Sequence, residues 1–259
     1  MPSKDRSLHN SPAMTLIRDI FDKAVATNVK RNLETFTTLE DDFITISTEG
    51  DAAGQEPFWN NQWFPPLDAV SICGFLAKEK PARYIEVGSG NSTKFARWII
   101  NRLHLKTEIV SIDPSPRAEI DGLCNQIIRQ PLEDVDSSFF SKITNNDILF
   151  LDNSHQSFQN SDVTVFFTEI LPVLPRGTLF GLHDIFLPYD YPQNWGPRFY
   201  NEQYLMAAYL FGKGAAATIE FPGHFLVREY YKELLAQHLP KVNAMPLGLT
   251  ASGALWMRK

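Results

Sequence analysis

From residue 67 onward the chain alternates short apolar segments with segments of helical periodicity, and this alternation most constrains its fold. The apolar segments lack the polar alternation of a half-exposed strand, which indicates strands buried on both faces. Helices between such strands are typical of a parallel sheet covered on both sides. The last two strands lack a standard crossover helix, which fits an antiparallel strand at the sheet edge. The predicted strands are residues 84–87, 108–113, 126–129, 147–152, 178–182, 217–221 and 253–257.

The first 65 residues differ from this pattern and are predicted to form an N-terminal arm, which leaves residues 66–259 as the main domain. We predict a helix over residues 15–32 and a short strand over residues 43–46. An irregular segment then carries several large aromatic side chains, and we expect it to help cover the active site. These side chains are Phe58, Trp59, Trp63 and Phe64.

Composition excludes several classes of protein. The chain has 259 residues, of which 44% are hydrophobic, enough to bury a sizeable core. Lys and Arg number 24 against 30 Asp and Glu, a net charge of −6, which disfavours nucleic acid and anionic membranes as partners. Two separated cysteines, Cys73 and Cys124, argue against a disulfide scaffold. No apolar run approaches a membrane span, and the start, Met1 to Asn10, is polar, so we expect a cytoplasmic protein.

The first predicted strand runs into a glycine-containing turn, EVGSGNST at residues 86–93, and then into a helix. Glycines let a ligand approach the backbone closely, and the helix N-terminus offers unpaired N–H groups. Asp113 ends the second strand, where a carboxylate can accept both hydroxyls of a ribose. The pattern therefore predicts a cofactor that contains a nucleoside.

Two cofactor classes compete for this turn. A dinucleotide-binding turn prefers a third glycine where this chain has Thr93, which weakens the case for a pyrophosphate. Glu86 is also unfavourable beside a pyrophosphate, yet it suits a cationic cofactor with an amino-acid moiety, such as S-adenosylmethionine. An NAD(P)-type Rossmann oxidoreductase remains the alternative.

In this order the motifs resemble class I S-adenosylmethionine-dependent methyltransferases, and the resemblance covers roughly Leu67 to Lys259. It also extends to a subgroup that methylates small molecules. It implies a Rossmann-like α/β fold with a doubly wound, mostly parallel seven-stranded sheet whose last strand is antiparallel. The motifs are Glu86-x-Gly88-x-Gly90, Asp113, the fourth strand Asp147 to Asp152 with Asn153-Ser154-His155, Leu174-Pro-Arg-Gly177, and Gly181-Leu182-His183-Asp184.

The same resemblance implies a set of cofactor-binding residues. The turn at residues 88–90 would wrap the methionine part, residues 130–133 would contact the adenine, and Asp152 would face the methyl-transfer zone. The full set is Glu86, Gly88, Ser89, Gly90, Asp113, Pro114, Leu132 and Asp152.

Methyl transfer to a hydroxyl requires positioning and removal of a proton. His155 follows the fourth strand and His183 ends the fifth, so both are predicted to open onto one cleft, and either is a candidate base. Asp152 and Asp184 match in position two carboxylates that bind a divalent ion in catechol-type methyltransferases. Ile185 stands where the next ligand is expected, so the site needs His155 or His183 as a substitute. Oxygen ligands favour magnesium, whereas histidines shift the preference to manganese, zinc or iron.

Residues 186–204 follow the fifth strand and are rich in aromatic side chains and prolines. Such a loop at the cofactor end of the sheet can cap a planar or sugar-like acceptor and exclude water. Glu202 is expected to add a polar anchor. The predicted substrate-binding residues are Tyr189, Trp195, Arg198 and Tyr200.

The sequence therefore predicts an enzyme that transfers a methyl group from S-adenosylmethionine to a small molecule, preferably to oxygen rather than nitrogen. A divalent ion, magnesium or manganese, is a tentative second cofactor. The prediction includes no nucleic-acid or membrane partner and leaves a homo-oligomer open. A module that binds S-adenosylmethionine without catalysis, and serves assembly instead, is a further alternative.

Overall fold

The computed structural model describes residues 11–51, 53–116, 118–212 and 217–259; the polar start, Met1 to Asn10, lies outside them. All seven strands predicted from residue 67 onward are present, with ends shifted by one or two residues. They are β1 (Arg83–Val87), β2 (Glu108–Ile112), β3 (Gln126–Ile128), β4 (Asp147–Leu151), β5 (Leu179–Leu182), β6 (Thr218–Pro222) and β7 (Leu255–Arg258).

The strands form one sheet in the order β3-β2-β1-β4-β5-β7-β6. β1 to β5 pair in parallel, and β7 runs antiparallel to both of its neighbours. The predicted fold class, a mostly parallel seven-stranded sheet with an antiparallel last strand, is therefore confirmed. The antiparallel strand is not at the edge, because β7 is inserted between β5 and β6.

Strand register brings four loops to one level of the sheet. Val87 pairs with Ile112 on one side and Leu151 on the other, and Leu151 pairs with Leu182. The turns after β1, β2, β4 and β5 therefore leave the sheet side by side, at the edge where parallel α/β sheets bind ligands.

Helices cover both faces of the sheet. Among the helices described, none combines the length and apolar character that a bilayer-spanning segment requires. The main helices are α1 (Pro12–Ala24), α2 (Lys30–Thr37), α3 (Glu40–Phe43), α4 (Pro66–Glu79), α5 (Asn91–Arg102), α6 (Ser137–Phe140), α7 (Asp162–Val165), α8 (Leu171–Val173), α9 (Glu202–Phe211), α10 (Gly223–Glu229), α11 (Ala236–His238) and α12 (Pro240–Asn243). π-Helical segments lie between α1 and α2 (Val25–Val29), between α7 and α8 (Phe166–Ile170) and between α10 and α11 (Tyr231–Leu235).

The N-terminal helices pack into the same hydrophobic core as the rest of the chain. The ring of Phe21 in α1 lies 5.4 Å from that of Phe225, and Phe36 in α2 lies 5.3 Å from Phe75 in α4. The division into an arm and a domain at residue 65 stays a prediction. Because α1 and α2 share one hydrophobic core with the sheet, these two helices pack against the rest of the chain and stabilise it.

The predicted strand at residues 43–46 is wrong. Phe43 ends α3, and a turn follows. The buried side chains here are Leu39, Phe43 and Ile46, spaced four and three residues apart as on one face of a helix. Four residues of apparent alternation are too few to distinguish the two periods.

Candidate active site

The turn after β1 leaves the strand through Gly88, whose backbone is left-handed, with φ +77°. A Cβ atom at this position would collide with the backbone oxygen of Asp152, which follows β4. Only glycine therefore lets the ends of β1 and β4 come so close. Gly90 differs, because a Cβ there would meet open space.

Glu86 lies beneath this turn and supports it from inside. The Thr93 hydroxyl donates to the Glu86 carboxylate and accepts a hydrogen bond from the N–H of Gly90 at 3.0 Å. The Tyr84 hydroxyl also donates to Glu86, at 2.9 Å. Burial raises the pKa of Glu86 to about 7, against the opposing effect of these hydrogen bonds. Glu86, predicted to bind the cofactor, does not line the cavity and shapes the turn that does.

Asp113 connects the turns after β1 and β2. One carboxylate oxygen accepts the Ser89 N–H at 2.7 Å, and the other accepts the Ser115 N–H at the same distance. The carboxylate lines the cavity, together with Pro114 and Leu132. Each oxygen has a second lone pair, so the group can still accept hydroxyls from a ligand.

A cavity of about 640 Å³ runs along the ends of β1, β2, β4 and β5. It brings together most of the residues predicted from the sequence. The predicted residues that line it are Gly88, Ser89, Gly90, Asp113, Pro114, Leu132, Asp152, His155, His183, Asp184, Trp195, Arg198 and Tyr200.

Four of these side chains converge at one end of the cavity. The Asp152 carboxylate lies 3.3 Å from Nε2 of His155 and 3.2 Å from Nδ1 of His183. The Asp184 carboxylate lies 3.6 Å from each of the same two nitrogens. We call these four residues the His–Asp cluster.

Buried carboxylates hold the other nitrogen of each ring in the His–Asp cluster. Nδ1 of His155 lies 2.9 Å from Glu202 in α9, and Nε2 of His183 lies 3.0 Å from Asp68 in α4. Asp68 and Glu202 are fully buried. Glu202, expected as a substrate anchor, therefore lies behind His155 and away from the cavity.

The neighbouring carboxylates determine the charge on the imidazole rings of His155 and His183. Burial alone disfavours a protonated imidazole, but hydrogen bonds to Asp152 and Glu202 outweigh it and raise the pKa of His155 to about 10. Burial also opposes protonation of His183. The negative charges of Asp152 and Asp184 outweigh this effect and raise the pKa of His183 well above its usual value. The neighbouring carboxylates therefore favour the cationic, doubly protonated form of both rings.

Two members of the His–Asp cluster have left-handed backbones, with φ +57° at His155 and +53° at Asp184. Such conformations cost non-glycine residues about 1 kcal/mol or more and concentrate at functional sites. The contacts to Glu202 and the neighbouring strands hold these residues in place. The backbone is therefore strained at two of the four positions where these side chains converge.

The aromatic loop after β5 divides between cavity and outer surface. The Arg198 guanidinium carbon lies 4.0 Å from the ring centre of Trp195 and 5.6 Å from that of Tyr200, at the mouth of the cavity. Tyr189, predicted to bind the substrate with them, does not line the cavity. Its hydroxyl donates to Glu229 in α10, so it anchors the loop to that helix.

The aromatic segment before α4 divides in the same way. Trp63 is 59% exposed and lines the cavity with Phe58 and Phe64, whose ring centre lies 5.0 Å from that of His183. Trp59 is buried against Phe95, with ring centres 5.3 Å apart, and belongs to the core. Three aromatic residues of the predicted N-terminal arm therefore line the cavity.

Sequence reasoning missed Asp68, which supports the site through its contact with His183. It stands in the first turn of α4, a helix in which residues 66–76 are all buried. A single carboxylate within such an apolar segment is itself a signal, because a buried charge requires a partner. The identity of that partner, His183, is visible only in the folded chain.

The strand order and the glycine turn define a Rossmann-like fold of the class I methyltransferase type. Residues 85–185 match the family model of a methyltransferase domain. The resemblance stated from the sequence is thereby confirmed: the chain carries a methyltransferase domain, which includes the glycine turn, Asp113 and the His–Asp cluster.

An uncharacterized protein from Archaeoglobus fulgidus is 34% identical over 93 residues, which are 34% of this chain and 42% of that protein. This chain therefore matches less than half of that relative's length. Among solved structures, an SAH-bound methyltransferase from Podospora anserina is similar with a TM-score of 0.44 at 12% identity, over 100% of this chain and 99% of that one. An O-methyltransferase from Bacillus cereus in complex with SAH has a TM-score of 0.41 at 13% identity, over 95% and 98%.

Proposed function

We propose that the protein transfers a methyl group from S-adenosylmethionine to a hydroxyl oxygen of a small molecule. The observation that carries this proposal is the single cavity that joins the turn at residues 88–90 and Asp113 to the His–Asp cluster. One end suits a nucleoside with an amino-acid tail, and the other offers polar groups to an acceptor.

At the cofactor end, each group matches one part of S-adenosylmethionine. The Asp113 carboxylate would accept the ribose hydroxyls, and Pro114 and Leu132 offer apolar surface to the adenine. The N-terminus of α5 follows Gly90 directly, and its unpaired N–H groups suit the carboxylate of the methionine part. S-adenosylmethionine supplies an electrophilic methyl group when bound.

At the acceptor end, Trp195, Tyr200 and Trp63 would stack on a planar or sugar-like acceptor and keep water away. Arg198, exposed on the same loop, would attract an anionic substituent. Because methyl transfer is an in-line displacement, these side chains serve mainly to hold the acceptor oxygen in position.

His155 and His183 remain the predicted bases. The surrounding carboxylates raise the pKa of both rings and favour the cationic form, so the form able to act as a base is the neutral imidazole, which has one unprotonated nitrogen. If one of them is the base, His155→Gln or His183→Gln will abolish turnover while binding of S-adenosylmethionine persists. Full turnover in both variants would remove the role.

The contacts of Thr93 argue against the dinucleotide alternative. The Thr93 hydroxyl accepts the hydrogen bond of the Gly90 N–H, so this N–H is not available to a ligand. The same hydroxyl donates to the Glu86 carboxylate, which places an acidic group next to the turn. A pyrophosphate needs free N–H groups and no negative charge at this place. Nicotinamide fluorescence should therefore stay unchanged when NADH is mixed with the protein.

Isothermal titration with S-adenosylmethionine and S-adenosylhomocysteine tests the cofactor. We expect saturable binding that Asp113→Ala weakens about 30-fold, as two lost hydrogen bonds of about 1 kcal/mol each would predict. Asp134→Ala removes an exposed carboxylate nearby that does not line the cavity and should bind as the wild type does. Absence of binding, or equal binding by both variants, would contradict the proposal.

A panel of phenolic and sugar hydroxyls, with matched amines, tests the acceptor through formation of S-adenosylhomocysteine. Hydroxyl compounds should turn over faster than the amines. Cofactor binding without turnover across the panel would instead favour the non-catalytic module.

A further inference from the structure

The His–Asp cluster has the composition and spacing of a metal site. We propose that Asp152, His155 and His183 bind one divalent first-row transition ion, with Asp184 beside them as a second carboxylate. Metal binding itself does not depend on the proposed function.

The donor atoms of Asp152, His155 and His183 all lie within 4.8 Å of one another. One oxygen of Asp152 lies 3.3 Å from Nε2 of His155 and 3.2 Å from Nδ1 of His183. Ligands about 2.1 Å from a tetrahedral ion lie about 3.4 Å apart, so an ion bound to this oxygen can also contact both rings. Asp184 lies 3.6 Å from each of the two nitrogens, through a different oxygen in each case, and stands beside these three ligands.

The surroundings of the rings are those of metal-bound histidines. A histidine ligand usually directs its second ring nitrogen at a carboxylate or carbonyl, which fixes the tautomer and orientation of the ring. Here Glu202 faces Nδ1 of His155 and Asp68 faces Nε2 of His183, and both carboxylates are fully buried. These partners leave Nε2 of His155 and Nδ1 of His183 for the ion.

The donor set also selects the class of ion. Two imidazole nitrogens favour manganese, iron, cobalt or zinc over magnesium and calcium, which prefer oxygen ligands throughout. The carboxylates of Asp152 and Asp184 would balance the charge of the ion. The site thus differs from the oxygen-only arrangement expected by resemblance, because Ile185 cannot ligate and the histidines take that place.

The cluster opens toward the cavity. The Asp152 side chain is 32% exposed and that of Asp184 13%, whereas both histidine side chains are at most 5% exposed. A bound ion would keep a free coordination position on that side. If the proposed function holds, that position is where an acceptor hydroxyl would be held and made more acidic.

Metal uptake by the full chain provides the test, with Co²⁺ as the probe because its visible absorption reports nitrogen and oxygen ligands. Protein stripped with a chelator is dialysed against Co²⁺, Zn²⁺, Mn²⁺ or Mg²⁺, and bound metal is counted by elemental analysis. We expect one Co²⁺ per chain with a visible absorption band, displacement by Zn²⁺, and no displacement by the same concentration of Mg²⁺.

His155→Asn is the informative variant, because asparagine tolerates the left-handed backbone at this position. His104→Asn is its matched control: His104 has φ +52° as well, but it is exposed and lies outside the cavity. We expect His155→Asn to lose the absorption band and to weaken Co²⁺ binding by about 100-fold or more, since loss of even an outer partner costs 10- to 100-fold. His104→Asn should bind as the wild type does.

Glu202→Gln provides a second route if His155→Asn fails to fold, since it keeps all three ligands and removes only the carboxylate behind the ring. Its Co²⁺ affinity should fall about 10- to 100-fold. Wild-type protein without saturable uptake, or equal affinity in all variants, would overturn the proposal and leave the cluster as a network of ion pairs. Titration with S-adenosylmethionine is separate, so failure of the proposed function and of the metal site can be told apart.

Discussion

Asp68 places a carboxylate oxygen 3.0 Å from Nε2 of His183, a residue 115 positions later in the chain. The same carboxylate accepts the N–H groups of Gly253 at 2.9 Å and Ala254 at 3.2 Å, and the Ser252 hydroxyl also donates to it. One buried side chain in α4 thereby connects the end of β5 with the segment that leads into β7. A helix whose residues do not line the cavity thus helps to orient His183.

We expect Asp68→Asn to lower the free energy of unfolding by about 2 kcal/mol, the range of a hydrogen bond to a charged group. Each carboxylate oxygen accepts one backbone N–H, so the amide nitrogen of asparagine would leave one of them without an acceptor. Urea unfolding measures the change. Asp19→Asn, at an exposed position of α1, is the control and should leave the midpoint unchanged. Equal midpoints for the two variants would contradict this account.

Gly88→Ala and Gly90→Ala should differ in their effect on the stability of the fold. Alanine at Gly88 would need a left-handed backbone and would collide with the Asp152 carbonyl, so we expect a loss of about 2 kcal/mol or more. Alanine at Gly90 meets open space, so the fold should tolerate it. Thermal unfolding of both variants checks the difference, which a similar loss in each would refute.

Glu86 makes stability depend on pH. Its pKa is about 7 in the folded chain against a usual value of 4.5, so the folded state keeps the proton that the unfolded state releases first. The free energy of unfolding should therefore fall as the pH rises from about 4.5 to 7, by up to about 3 kcal/mol from this group. In Glu86→Gln this part of the decline should vanish. Urea midpoints of both proteins across this range provide the measurement, and parallel profiles would disprove it.

Arg198→Ala tests the mouth of the cavity under the proposed function. The guanidinium stacks on Trp195 and remains exposed, so its loss should weaken binding of an anionic acceptor and leave the chemical step intact. We expect KM to rise about tenfold, equivalent to about 1.4 kcal/mol, with little change in kcat. Arg176→Ala, exposed in the connection that leads into β5, serves as the control. A fall in kcat at constant KM would place Arg198 in the chemical step instead.

Much of the fold could be predicted because the signals are local. Each buried strand is a short apolar segment, and a glycine turn or a helix pattern beside it lies within a few residues. Where the window was too short, as at residues 43–46, the helical period was mistaken for a strand. The positions of Asp113, Asp152 and His183 followed from the same logic, because parallel strands present their carboxyl ends at one edge of the sheet.

The sequence by itself thus determined the class of fold, the glycine turn and the strand ends that meet at the site. Only the tertiary structure decided which side chains surround them: Asp68 and Glu202 behind the two histidines, and Tyr189 on the outer surface. The physical reason is the range of each signal. Periodicity and turn chemistry are read from neighbours in the chain, whereas the partner of a buried charge is chosen by packing between elements far apart in sequence.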